Sequence, residues 1–255
     1  MKNSITKLNK DKSKLLKKFF IVLFWIIIWE LCSLIINKDI LLPSPFNVFK
    51  TLINLMGKRY FWISVFKSIT RVIIGLIISI IFGIVLGIIS GLNKFLEEFL
   101  EPLIVIIKAT PVMSIIIIAL VWFKSSNVAL FTTILMCFPI IYTNVLLGIK
   151  SVNKDLITMS QIYRVKKIHI LKDIYIPSIK QYIISGILMC LGIGWKVCVA
   201  SEVLSTPRYS IGLNLFNAKA TLETEELFAW TIVVVLLSFI FEMSFKHYIN
   251  KKSKY

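Results

Sequence analysis

Six separable apolar stretches run through this 255-residue sequence, at about Phe19–Ile36, Ile69–Leu92, Pro102–Phe123, Val128–Ile149, Tyr182–Leu204 and Leu227–Phe245. A helix that crosses a bilayer takes roughly 20 apolar residues, and these runs are of that length. With 57% hydrophobic residues and a mean hydropathy of +0.84, the chain cannot fold around an ordinary soluble core. The period-2 alternation of a membrane barrel is absent. The expected fold class is therefore all-α: a one-domain membrane protein of six transmembrane helices.

The formal charge of +17 could suggest nucleic acid, but the positions of the charges do not. Lys2, Lys7, Lys10, Lys12, Lys14, Lys17 and Lys18 crowd a basic leader over 1–18, Lys94 follows the second stretch, and Lys246, Lys251, Lys252 and Lys254 close the chain. The opposite loops keep only scattered cations such as Lys38, Lys50, Lys124, Arg208 and Lys219. Positive residues stay on the side from which helices insert, so both termini are expected in the cytoplasm, with the charge facing lipid headgroups and no nucleic acid involved. A membrane-spanning domain over 19–250, containing a cytoplasmic loop over 150–181, then precedes a short tail over 251–255. The first stretch is too long for a signal-peptide core, carries Glu30 and lacks a small-x-small cleavage site, so it reads as an uncleaved helix. Cys32, Cys137, Cys190 and Cys198 all fall within apolar stretches and act as small hydrophobes. His169 and His247 are too isolated to form a ligand cluster, so no metal or cofactor site is expected.

Gly75, Ser79, Gly83, Gly87 and Gly91 recur every fourth residue, which places them on one stripe of the second helix. Lipid is as apolar as leucine, so helices associate in a bilayer through small residues that let backbones approach closely. The second helix is expected to be a central packing element, with a weaker series, Gly186, Cys190, Gly194 and Cys198, on the fifth. Pro111 and Pro139 are expected to bend their helices, and Pro43 with Pro45 to make a stiff, extended loop. Ionisable groups at membrane depth are costly and point to function. Glu30, Arg71 and Lys108 are assigned to snorkelling, orientation or pairing between subunits. Lys196 and Glu202, beside Trp195 and small residues of the fifth helix, need a polar partner or a water-filled cavity.

The stretch SVNKDLITMSQIYRVKKIHILKDIYIPSIK interrupts the apolar pattern with a basic, amphipathic island. Leu156, Met159 and Tyr163 recur at helical spacing, and Ile168, Leu171 and Ile174 form a second short pattern that Pro177 is expected to stop. Two short helices with an apolar face suit a protein interface; the alternative is a helix lying flat on anionic lipid. A membrane enzyme would need a convergent catalytic set, and no such set is visible. An ion-driven secondary transporter would show an inverted repeat and paired midplane carboxylates, which are also not visible.

The island resembles the cytoplasmic loop of ATP-binding-cassette importer permeases, whose pattern is E-A-A-x3-G-x9-I-x-L-P. Ile174, Tyr175, Ile176 and Pro177 fill the final positions, while Thr158, Met159 and Ser160 stand where E-A-A belongs and Arg164 stands in the glycine slot. LLPSPFNVFKTL with SITRVIIGLIISIIFGIVLGIISG, and LGIGWKVCVASEVLS with SIGLNLFNAKATLETEELFAW, resemble the start and end of permeases of the nitrate, taurine and sulfonate branch. The resemblance covers nearly all of the chain after its leader. It implies a type I importer permease fold in a prokaryotic cell membrane and a homodimer of this subunit. Two cytoplasmic ATPase subunits and an extracytoplasmic substrate-binding protein would complete the machine. The chain has no G-x-x-x-x-G-K-[ST] phosphate loop, so ATP and Mg are expected in the ATPase partner and the chain itself is not expected to be an enzyme. Coupling is expected from Thr158 to Pro177, with Tyr163, Ile168, His169 and Leu171 filling an ATPase groove and Lys166, Lys167 and Lys172 orienting it. Trp195, Lys196, Ser201 and Glu202 are the expected pathway residues. The implied cargo is a small anion such as a sulfonate or nitrate; a vitamin or aromatic precursor, or an ion-driven mechanism, are the alternatives.

Overall fold

The computed structural model describes residues 2–252, and the side chains of 16, 17, 20–249 and 251. In order it holds α1 (Lys2–Ile36), α2 (Pro45–Met56), α3 (Arg59–Leu92), α4 (Lys94–Ala109), α5 (Val112–Trp122), α6 (Ser125–Lys150), α7 (Lys154–Ile162), α8 (Lys167–His169), a π-helical segment (Ile170–Tyr175), α9 (Ile176–Ser205), α10 (Ile211–Ala220) and α11 (Thr224–Lys252). No strand occurs among the described residues. The leader is the first part of α1, and the tail's Lys254 and Tyr255 lie outside the described residues.

Helix α6 is the centre of the fold. No residue between 128 and 146 is exposed, because α3 covers one flank and α9 another. The small-residue stripe of α3 lies against α6: a Cβ added at Gly75 would sit 2.9 Å from Thr133, one at Gly83 2.6 Å from Ile141, one at Gly87 2.8 Å from Val145, and one at Gly91 2.6 Å from Ile149. The pairing advances in constant register, so the two helices run parallel. Ser79 completes the stripe, donating to the carbonyls of Gly75 at 2.7 Å and, across the seam, Ile134 at 3.2 Å. On the other flank Thr132 meets Ser201, Cys137 meets Cys190 and Gly148 meets Tyr182, the order of an antiparallel pair.

Parallel neighbours oblige the intervening chain to return to the starting side. It does so through α4 and α5, which are bent by 102° at their junction, where one span over 102–123 was expected. The cause is Pro111, which has no N–H to give and forces Thr110 into an extended conformation (ψ 128°). Pro139 behaves differently. It is buried, and α6 continues through it without a break, with neighbours on both flanks. Pro45 likewise opens α2 instead of extending the loop. Its missing donor is harmless in the first turn, and Ser44 caps the helix by accepting the Asn47 amide at 3.3 Å. Among the described residues four helices are long and apolar enough to cross a membrane, five if α4 and α5 form one broken span, and Phe20–Ile36 is a shorter apolar helix.

The two ends of the bundle are distinct. At one, Thr224 donates to the carbonyl of Ile40 at 2.8 Å and Thr51 to Glu225 at 2.9 Å, joining the loop after α1 to α2 and α11. At the other, Lys150 pairs with Glu97, tying the end of α6 to the start of α4. Helix α1 hangs on the body through Trp29, which donates to the carbonyl of Pro43 at 3.1 Å and stacks near Phe228, and through Ser33 on the carbonyl of Leu42.

The α3–α6 seam makes a direct prediction. Gly83→Ala should destabilise the detergent-solubilised protein by about 1–3 kcal/mol through overpacking. Gly192→Ala, where an added Cβ meets nothing within 4 Å, should be neutral or gain up to about 1 kcal/mol of helix propensity. Thermal unfolding of the two variants side by side checks this, and equal midpoints would refute the seam.

Candidate functional site

Residues 151–175 project from the end of the bundle where α6 stops. Asn153 starts α7 by accepting the Asp155 amide at 2.8 Å. At the far end of α7 the amide of Val165 donates to the carbonyl of Ser160 and that of Arg164 to Gln161, both at 2.9 Å. This is the Schellman termination, which places a left-handed residue just past the helix. That residue is Arg164, at φ 53°. The chain thus makes a glycine-type turn at the glycine slot with an arginine, against a steric penalty of roughly 1–2 kcal/mol.

After this turn the chain does not form a second separate helix. Helix α8, the π segment and α9 run on as one rod, Lys167–Ser205. Pro177, expected to stop a helix, instead sits in the first turn of α9, where the wide π turn before it accommodates the missing donor.

The loop presents Ile162, Tyr163, Ile168 and Met159 to solvent, with Ile162 and Tyr163 73% and 74% exposed. Thr158, Arg164, Lys166, Lys167, His169, Lys172 and Pro177 are exposed beside them. Leu171 and Ile174 are half-buried, and Ser160 is buried with its hydroxyl on the carbonyl of Ile157. His169 stands 3.8 Å from Asp173. Two residues of the loop were missed in the sequence: Ile162, among its most exposed apolar side chains, and Ile170, which is buried. The helical spacing of Leu156, Met159 and Tyr163 hid Ile162, which extends that face on its far side. A groove of about 540 Å³ opens beside the loop between Ile149, Thr158, Gln161 and Tyr175.

The four expected pathway residues do not share one surface. Trp195 is fully buried against Phe241, with ring centroids 5.4 Å apart. Ser201 is buried and shares a 2.6 Å hydrogen bond with Thr132. Glu202 is buried and bonded to Ser68 and, at 2.8 Å, to Arg71. Of the expected roles, snorkelling, orientation or pairing between subunits, Arg71 is instead paired within its own chain. The cause is burial of Glu202, whose charge needs a partner. Lys108, assigned with it, donates to Thr143 at 2.7 Å. Lys196 alone of the four is exposed, on a face of α9 that also carries Gln181, Ser185, Met189 and Ile193 and turns away from α6.

The chain is thus a bundle of apolar helices built around a close-packed three-helix core, with one projecting basic and apolar loop. The chain belongs to the family of binding-protein-dependent transport system inner membrane components, whose model matches residues 79–254. It is similar to the taurine transport system permease protein of Escherichia coli, 25% identical over 224 residues that cover 86% of this chain and 81% of the relative. It is also similar to the nitrate import permease protein of Synechococcus elongatus, 27% identical over 188 residues covering 69% and 67%. The bicarbonate transport system permease protein of the same species is 27% identical over 210 residues, covering 77% and 74%. The family is one of transport permeases, not enzymes, and this chain is a multi-pass inner-membrane protein.

The strained turn can be tested alone. Arg164→Gly should stabilise the loop by about 1 kcal/mol, the left-handed penalty it removes. Hydrogen exchange at the Arg164 and Val165 amides should slow about fivefold, and unchanged exchange would mean that the turn carries no strain.

Proposed function

We propose that this chain is the membrane subunit of an ATP-driven importer of a small anion, working as a homodimer in a prokaryotic cytoplasmic membrane. Two cytoplasmic ATPase subunits hold ATP and Mg and grip the loop between α6 and α9, while an extracytoplasmic binding protein delivers the solute. The observation that carries this reading is the loop itself. Ile162, Tyr163, Met159 and Ile168 form an exposed apolar face ringed by Arg164, Lys166, Lys167 and Lys172, which suits a protein groove better than open water.

The topology follows from the two ends of the bundle. The basic loop marks the cytoplasmic end. The chain then crosses six times: through the apolar part of α1, through α3, through α4 with α5 as one broken span, and through α6, α9 and α11, leaving both termini inside. The 1–18 leader, the 19–250 membrane domain and the tail follow that division. ATPase closure shifts the loop, and the packed helices behind it respond as rigid bodies between two states. The cargo class comes from the relatives, whose names specify taurine, nitrate and bicarbonate, all anionic or zwitterionic. Lys196 supplies a matching cation. It lies in mid-span on the open face of α9, where a charged side chain needs water, a polar partner or an anion.

Two measurements check these roles. Replacing both Tyr163 and Ile168 by alanine should weaken ATPase attachment about 30-fold, the loss of at least one interface hot spot, read by co-purification and titration of the ATPase; full attachment would sink the docking role. Lys196→Met should leave the complex intact and lower anion uptake into proteoliposomes roughly 10- to 100-fold, the scale of one hydrogen bond to a charged group. Unchanged uptake would remove Lys196 from the pathway.

A further inference from the structure

The ends of α3 and α9 remote from the loop are joined to the start of α10 through one buried cluster. Glu202 is fully buried, yet its carboxylate accepts from the Ser68 hydroxyl at 2.8 and 2.7 Å, from Arg71 Nη1 at 2.8 Å and from the Gly212 amide at 3.2 Å. The same Ser68 oxygen accepts from the Ile211 amide at 3.0 Å. The first amides of a helix have no partner inside it; here the first two of α10 are held by two other helices, and the third, of Leu213, by the cap residue Ser210. The fit leaves no slack, since a Cβ on Gly212 would lie 2.3 Å from the Cβ of Glu202. The turn that leads in passes through Thr206 at φ 43° and Tyr209 at φ 55°, a left-handed backbone at two non-glycine residues. Such strain persists only where the surroundings over-determine it.

Docking of α10 does not itself need charge. Ile211 and Ala218 are already buried, and a well-packed apolar pair in place of Arg71 and Glu202 would hold as well, because desolvation offsets most of the attraction in a buried ion pair. Charge adds intolerance of intermediates: either every bond is made, or a bare carboxylate is left inside the membrane. The joint cannot slip by degrees.

We propose that Arg71 and Glu202 are a positioning pair for transport, a clamp that makes α3, α9 and α10 a single body, so that α10 travels with the core as the pathway opens and closes. The transport role rests on the importer reading above; the clamp rests on the contacts alone.

The test uses spin labels at Phe66→Cys on α3 and Phe216→Cys on α10, both exposed positions, with the exposed native Cys32 replaced by serine. In the purified complex, assembled with the labelled chain diluted into an excess of unlabelled chain so that only one copy carries the pair, the label-to-label distance should be single and narrow, and should stay the same when the ATPase is trapped with ATP and vanadate. In the Arg71→Met/Glu202→Met variant, which leaves no bare charge, the distribution should broaden at least twofold and uptake should fall at least tenfold, tested with whichever of taurine, nitrate or bicarbonate the unaltered complex carries. A wild-type distance that shifts on trapping, a double variant as narrow as wild type, or uptake at the wild-type level would each overturn the proposal. If the double variant does not assemble, Glu202→Gln, which keeps the shape and an acceptor for Gly212, must broaden the distances on its own, and a narrow distribution there overturns it too. Failure of any ATPase to co-purify would instead sink the importer reading, while the nucleotide-free comparison would still decide the clamp.

Discussion

The approach of α3 to α6 is the constraint on which the rest of the fold depends. Between two helices in lipid there is little hydrophobic force to exploit, so contact must come from dispersion and close backbones. The stripe Gly75, Ser79, Gly83, Gly87, Gly91 provides this by removing side chains where Thr133, Ile141, Val145 and Ile149 press in. Because the pair is parallel, the chain between must traverse the layer again, and the break at Pro111 shapes how it does so. Helix α9 closes the other flank of α6 in the opposite sense. Helices α10, α11 and α2 then pack on that three-helix core, and α1 is attached through a few contacts near Trp29 and Ser33.

Polar groups inside this framework divide into two kinds. Hydroxyls along the spans bond mainly to the carbonyl one turn back: Ser79 on Gly75, Thr133 on Ala129, Ser201 on Val197, Ser205 on Ser201. Bonded in this way they are satisfied at little cost, and Ser79, Thr143 and the Thr132–Ser201 pair also reach across a seam. Charged groups join elements. Lys150 with Glu97 fastens one end of the bundle, and Arg71 with Glu202 fastens the other.

Much of this was visible in the residues. Hydropathy marked the apolar stretches, and a fourfold spacing of small residues marked the face of α3 that packs, though nothing in a single sequence named α6 as its partner. Proline was read less well, because its effect depends on what surrounds it: Pro111 breaks a helix that has few neighbours there, Pro139 sits inside a helix that continues between two neighbours, and Pro45 and Pro177 sit in first turns where a missing donor costs nothing. Arg164 illustrates the limit of motif matching, since the turn formed without the glycine that usually marks it. The pairing of Arg71 with Glu202, 131 positions apart, was out of reach. Opposite charges in two apolar stretches invite pairing, but only the packing of α3 on α9 decides it.

The stretch from Lys167 to Ser205 is continuous for 39 residues, about 58 Å at the rise of an α-helix. Its near end begins one residue before Ile168, and its far end carries Glu202. This rod packs on α6 from Tyr182 to Ser201, and its hydrogen bonding is widest over Ile170–Tyr175, before that contact begins. If the loop is the coupling site proposed above, a displacement applied there meets this π-helical collar before it reaches the body of α9, whose far end carries the clamp on α10.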